Sequence, residues 1–155
     1  MIDTAAITAL GHRAQALLDE LALVTDEPGR VTRTYLSTAH ARSIDLVGGW
    51  MRERGMTTTV DAVATLRGRR EADVAPETAK TVLIGSHIDT VIDAGKLDGC
   101  LGVIAGILAV EEIEKRGEKL PFAIEILAFG DEEGVRFPTA LSSSSAVTGT
   151  YRREW

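Results

Sequence analysis

The chain has 155 residues, 45 % hydrophobic and 26 % charged, with 15 Gly and 4 Pro; this suits one globular domain and argues against a disordered or fibrous polypeptide. Its 17 Lys and Arg against 23 Asp and Glu leave a formal charge of −6, so a phosphate backbone is repelled overall and no nucleic-acid partner is expected. One cysteine, Cys100, excludes an internal disulfide and a cysteine cage for zinc. The longest apolar run, 101–110, is too short to cross a bilayer, and the N-terminus lacks the pattern of a secretory signal, so the expectation is a cytoplasmic protein with no membrane contact.

From Thr4 onward, Ile7, Leu10, Ala14, Leu17, Leu21 and Val24 recur at steps of three and four, the spacing of one helical stripe, and Asp26-Glu27-Pro28-Gly29 stops it. A second helix is expected from Ser37 as N-cap, with Ile44, Val47 and Met51 buried and an end at Gly55; Trp50 and Met51 read as core. Residues 57–66, rich in Thr and Val, read as extended, and Arg67-Gly68-Arg69-Arg70-Glu71 as a solvated turn. After the polar stretch 71–80, the run Thr81-Val82-Leu83-Ile84-Gly85 has the composition of a strand buried on both faces. Asp98 is read as the cap of a helix reaching Arg116, with Val103, Ile107, Val110 and a small buried Cys100 toward the core. Residues 121–129 form the next strand, and 142–145 is a low-complexity serine run. Strand, helix, strand is a βαβ unit, whose strands run parallel.

In parallel α/β sheets, ligands sit beyond the carboxyl ends of the strands. The first strand runs out into His87 and Asp89, which point the same way in extended chain, so the carboxylate can hold one ring N–H and leave the other nitrogen for a metal. The second runs out into Asp131-Glu132-Glu133. Adjacent carboxylates serve one centre only if the backbone bends, and Gly130 and Gly134 offer permissive positions. Like charges this close favour a cation between them. Topology brings His87, Asp98, Glu132 and Glu133 to one rim, and an imidazole with carboxylates suits zinc or manganese, Asp98 being able to bridge two ions. A nucleotide site on Gly99, Gly102 and Gly106 is disfavoured because these glycines lie inside a helix rather than in the turn before it. His12 and His40 are expected in N-terminal helices remote from the motifs and not as ligands.

The stretches Gly85-Ser86-His87-Ile88-Asp89-Thr90-Val91, Lys96-Leu97-Asp98-Gly99-Cys100-Leu101-Gly102-Val103 and Phe129-Gly130-Asp131-Glu132-Glu133-Gly134-Val135-Arg136-Phe137 resemble the hydantoinase/carbamoylase family of dinuclear metal amidohydrolases. Spacings match too, eleven residues from His87 to Asp98 and thirty-five from Asp98 to Glu133. The resemblance implies an α/β, zinc-exopeptidase-like three-layer fold with a mainly parallel sheet. It implies that residues 1–155 are the N-terminal portion of a catalytic domain, without the lid and dimerisation domain, in a protein that forms a homodimer when complete. It further implies that His87 and Glu133 each bind one of two Zn or Mn ions, that Asp98 bridges them, that Glu132 is the general base and that Asp89 orients His87. The implied reaction is hydrolysis of the carbamoyl or ureido C–N bond of allantoate by metal-activated water. An N-carbamoyl-L-amino acid or a β-ureido acid is the alternative substrate, and a truncated non-catalytic module the alternative of another class. Two further histidine ligands of the family lie beyond this segment, so weak metal binding and little turnover are expected of the segment alone. Two departures from the family, Ala64-Thr65 in place of Gly-Asn and Ser143-Ser144-Ser145 in place of Gly-Ser-Arg, bear on local packing.

Overall fold

The computed structural model describes residues 4–75 and 79–154; readings that touch 1–3, part of the polar stretch 71–80 and residue 155 fall outside them. Helix α1 (Thr4–Ala22) buries Leu18 and Leu21, while Ile7 at its start stays exposed. Ser37 caps α2 (Thr38–Glu53) by accepting the His40 N–H at 3.1 Å, and Gly55 turns the chain away with φ +77°. Trp50 and Met51 of α2 are core residues, as their spacing predicts.

Strands β1 (Thr57–Val60), β2 (Leu66–Arg70), β3 (Lys80–His87) and β4 (Phe122–Phe129) form one sheet in the order β1-β2-β4-β3. Helix α3 (Cys100–Arg116) crosses between β3 and β4, which are parallel with His87 opposite Phe129. The βαβ unit is therefore as expected, but the sheet is not mainly parallel: β1–β2 and β2–β4 are both antiparallel. The cause is β2, the segment read from sequence as a solvated turn. Its side chains are paired across space: Arg67 and Arg69 both bind Glu125 of β4 at 3.1 Å, Arg70 binds Glu114 and Asp73, and Gly68 lies under the Met51 side chain, where a Cβ does not fit. A strand that buries Leu, Gly and Arg has no apolar alternation to betray it.

Two further expectations change. The strand β3 was read as buried on both faces, yet it is an edge strand with Val82 and Leu83 exposed. The serine run is helix α4 (Ser142–Val147), with Ser142, Ser143 and Ser145 buried. Met51 packs on Gly68 and Gly106 of α3 lies against Ile84 and Ile126, so α2 and α3 cover the same sheet face and enclose the core of Leu66, Val103, Ile104, Ile107, Ile124 and Ile126. Among the described residues, no helix is long and apolar enough to span a membrane.

Candidate metal centre

His87 ends β3, and its ring lies between two acidic groups. Nδ1 sits 3.0 Å from the backbone oxygen of Asp89 and 3.6 Å from its carboxylate, which leaves Nε2 facing Asp98 Oδ1 at 3.7 Å and Glu132 Oε2 at 3.8 Å. Ligand atoms of His87, Glu132 and Glu133 all lie within 4.8 Å of one another. Donor atoms around one zinc ion, each about 2.0–2.2 Å from it, stand roughly 3–4 Å apart. The separation of His87 Nε2 from Glu132 is in that range, and an imidazole nitrogen with carboxylate oxygens is a donor set suited to a divalent cation.

Two local devices create the convergence. The first is the turn before α3. Asp98 was expected to cap this helix, but the N-cap is Gly99, at φ +66°, and no side chain caps it. Gly99 presses so close to His87 that a Cβ would stand 2.5 Å from the His87 carbonyl oxygen and 2.6 Å from ring carbons. Only glycine tolerates both that conformation and that approach; the turn releases the Asp98 carboxylate from capping and leaves it near Nε2. The second device is the bend after β4. It turns at Asp131, φ +61°, rather than at Gly130, and again at Gly134, φ +60°. Gly130 serves packing instead, because a Cβ there would meet Tyr35 at 2.7 Å and His40 Nε2 at 2.9 Å.

Asp89 organises the bend. Its carboxylate is 2 % exposed and accepts the N–H of Glu132 at 3.3 Å and of Glu133 at 3.4 Å, one on each oxygen. The group expected to orient His87 thus also holds both glutamates by their backbone. Asp131 turns inward, its Oδ2 accepting from Ser142 of α4 and its backbone oxygen from Leu141 N, so the first acid of the run backs the loop instead of joining the cluster.

The electrostatics follow from this crowding. Burial alone would lower the His87 pKa, but the carboxylate and carbonyl of Asp89, helped by Glu132, override it and raise the ring to about 9. Burial would raise Asp89, yet His87 and the two N–H donors keep it below the usual carboxylate value. Glu133 moves upward through burial, opposed by His87 and reinforced by Asp98, Glu132 and Asp89. Such a field draws positive charge toward Nε2.

Sequence reasoning missed several supports. His40 is not remote: it is buried in α2 directly behind Gly130, its ring edge-on to Tyr35 at 5.5 Å. His12, by contrast, lies exposed on α1. Arg33, fully buried in the loop between α1 and α2, also packs beneath the site and had no local signal, since all its partners are distant in sequence. The two departures from the family pattern touch each other: Thr65 Oγ1 and Ser143 Oγ share a buried hydrogen bond of 2.6 Å, and Ala64 adopts φ +58°.

The pattern that defines Peptidase family M20/M25/M40 matches residues 83–154, the stretch that holds the whole cluster. The chain is 45 % identical over 142 residues to allantoate deiminase 1 of Glycine max, covering 90 % of this chain and 29 % of that protein. Against the N-carbamoyl-L-amino acid amidohydrolase of Geobacillus stearothermophilus it is 41 % identical, covering 90 % of this chain and 34 % of the relative. A crystal structure of a hydantoinase/carbamoylase family amidase from Burkholderia ambifaria superposes with TM-score 0.85 at 37 % identity, over 93 % of this chain and 35 % of that one. The chain thus spans about a third of the length of the relatives it matches. By motif, sequence and fold together, residues 83–154 carry the pattern of Peptidase family M20/M25/M40, and the chain is similar over most of its length to hydantoinase/carbamoylase family amidases.

Proposed function

We propose that residues 1–155 form the N-terminal portion of the catalytic domain of a metal-dependent amidohydrolase that cleaves the carbamoyl or ureido C–N bond of allantoate or a related N-carbamoyl compound. The observation that carries this reading is the convergence of His87, Glu132 and Glu133, with Asp98 3.7 Å from His87 Nε2 and Asp89 buried behind them. The relatives' names, allantoate deiminase and N-carbamoyl-L-amino acid amidohydrolase, support the substrate class.

In this reading His87 would hold one ion and Glu133 the other, Asp98 would serve both, and zinc or manganese suits the donors. A divalent ion bound there supplies Lewis-acid polarisation of the substrate carbonyl and makes water a stronger acid. Glu132, the half-exposed carboxylate of the pair, takes a proton from water and returns it to the departing nitrogen. Asp89 holds the proton on Nδ1, which fixes the tautomer with Nε2 free, and keeps Glu132 and Glu133 side by side through their N–H groups. The described residues offer one imidazole to this cluster, so a complete two-ion site draws ligands from elsewhere in the protein.

The test is Glu132→Gln in the protein as its gene encodes it, assayed on allantoate and on N-carbamoyl amino acids with metal content measured in parallel. Loss of a general base lowers turnover by about 100- to 10,000-fold with metal retained. Turnover equal to the parent's refutes the assignment of the base, and loss of metal reverses the roles of Glu132 and Glu133.

A further inference from the structure

We infer that Arg33 is a positioning residue for this centre, its buried guanidinium setting the spacing between the two segments that carry His87 and Asp98. The inference rests on the reading of the cluster as a metal centre. Arg33 is 1 % exposed. Its Nε donates to the Ile88 carbonyl at 2.7 Å, one terminal nitrogen to the carbonyls of Leu21 at 3.1 Å and Val24 at 2.9 Å, and the other to Cys100 Sγ at 3.2 Å. Three carbonyls and a thiol are an unusual set of partners for a buried cation, because no carboxylate is among them to offset the desolvation of the charge. Carbonyls at the end of a helix do carry partial negative charge, and Leu21 lies in the last turn of α1, with Val24 two residues past its end.

The positions of the acceptors connect this arginine to the site. The Ile88 carbonyl belongs to the peptide between Ile88 and Asp89, inside the His87–Asp89 segment. Cys100 opens α3 two residues after Asp98, and its own N–H reaches back to the Asp98 carbonyl at 2.6 Å. One planar fork therefore spans both segments and refers them to the end of α1. The backbone reinforces the link: Thr90 N donates to the Arg33 carbonyl at 3.0 Å, and Arg33 N donates to Thr90 Oγ1 at 2.8 Å. A lysine at this position keeps the charge but loses the fork, which holds acceptors in several directions within one plane. The geometry needed at Nε2 is set by the turn at Gly99, and Arg33 is the side chain that holds the two walls of that turn at their distance.

The experiment compares Arg33→Met, Arg33→Lys and Val110→Ala in the protein as encoded. Val110 is a core residue of α3, ten residues along the helix from Cys100, so its truncation serves as the control for loss of stability. Zinc affinity is measured by competition with a chromophoric chelator, the visible spectrum is recorded with cobalt(II) in place of zinc, and unfolding is followed in urea. Arg33→Met is expected to weaken zinc binding by about 10- to 100-fold, the range found when groups that orient metal ligands are removed, and to alter the cobalt spectrum. Arg33→Lys recovers part of the affinity. Val110→Ala, though less stable, binds zinc as the parent does. If the parent binds zinc and Arg33→Met binds it equally well, or no more weakly than Val110→Ala, the inference is overturned while the reading of the site stands. Should Arg33→Met fail to fold, parental affinity and spectrum in Arg33→Lys overturn it. A parent that binds no zinc overturns the reading of the site itself, and the inference with it.

Discussion

Acid should destabilise this protein through His40. The ring is 1 % exposed and, among the described residues, its Nε2 has no hydrogen-bond partner and Nδ1 receives only the Leu36 N–H at 3.4 Å. Burial is the main cause that lowers its pKa from 6.5 to about 4; Asp89 pulls the other way and Arg33 adds to the depression. As pH falls, the unfolded chain takes up a proton near 6.5 while the folded ring resists until about 4. Through that window the unfolded state binds more protons, so the stability present above 6.5 is lost as pH approaches 4. Linkage between those two values gives a loss of about 2.5 kcal/mol between about pH 7.5 and about pH 4.5. Urea unfolding of the parent and of His40→Leu at both pH values measures it. Carboxylates titrate in both proteins and cancel in the comparison, so the parent should lose about 2.5 kcal/mol more than the variant. Equal losses in the two would refute the reasoning.

Two other sites give checks that do not involve the candidate centre. Glu111 accepts from Arg13, from Arg54 at 2.6 Å and from Lys115 at 2.6 Å; burial would raise its carboxyl, but the three cations hold it at about 2 against an ordinary 4.5. Its contribution is complete above 4.5 and disappears toward 2. Glu111→Gln is expected to cost about 2 kcal/mol at neutral pH once solvent screening of the exposed partners is discounted, and a midpoint equal to the parent's would contradict this. For the buried hydrogen bond between Thr65 and Ser143, a double-mutant cycle of Thr65→Val and Ser143→Ala should return a coupling of about 1 kcal/mol; strict additivity would show that the two departures from the family pattern are independent.

Much of the local structure was legible because it depends on neighbours in the chain. The stripe of α1, the Ser37 cap of α2 and the strand–helix–strand order around α3 follow from spacing and capping chemistry. So did the approach of His87 to Glu132 and Glu133, because a crossover between parallel strands brings two strand ends to one edge. Asp98 marks the boundary of that logic. An aspartate ahead of a helix reads as a cap, and only the close approach of Gly99 to His87, across the turn, diverts it toward the imidazole.

What the sequence determined by itself is the stripe of α1, the cap and the stop of α2, and which strand ends carry acids. The tertiary structure alone decided the rest: Arg67, Gly68 and Arg70 form an inner strand, Arg33 and His40 lie buried beneath the acidic loop, and Asp131 faces inward while its two neighbours face the cluster. For the arginines and Asp131 the physical reason is the same: a charged side chain is buried where distant partners meet it, and Glu125, Glu114, Ile88 and Ser142 do so only once the chain has closed on itself; His40 is instead enclosed by Tyr35 and Gly130.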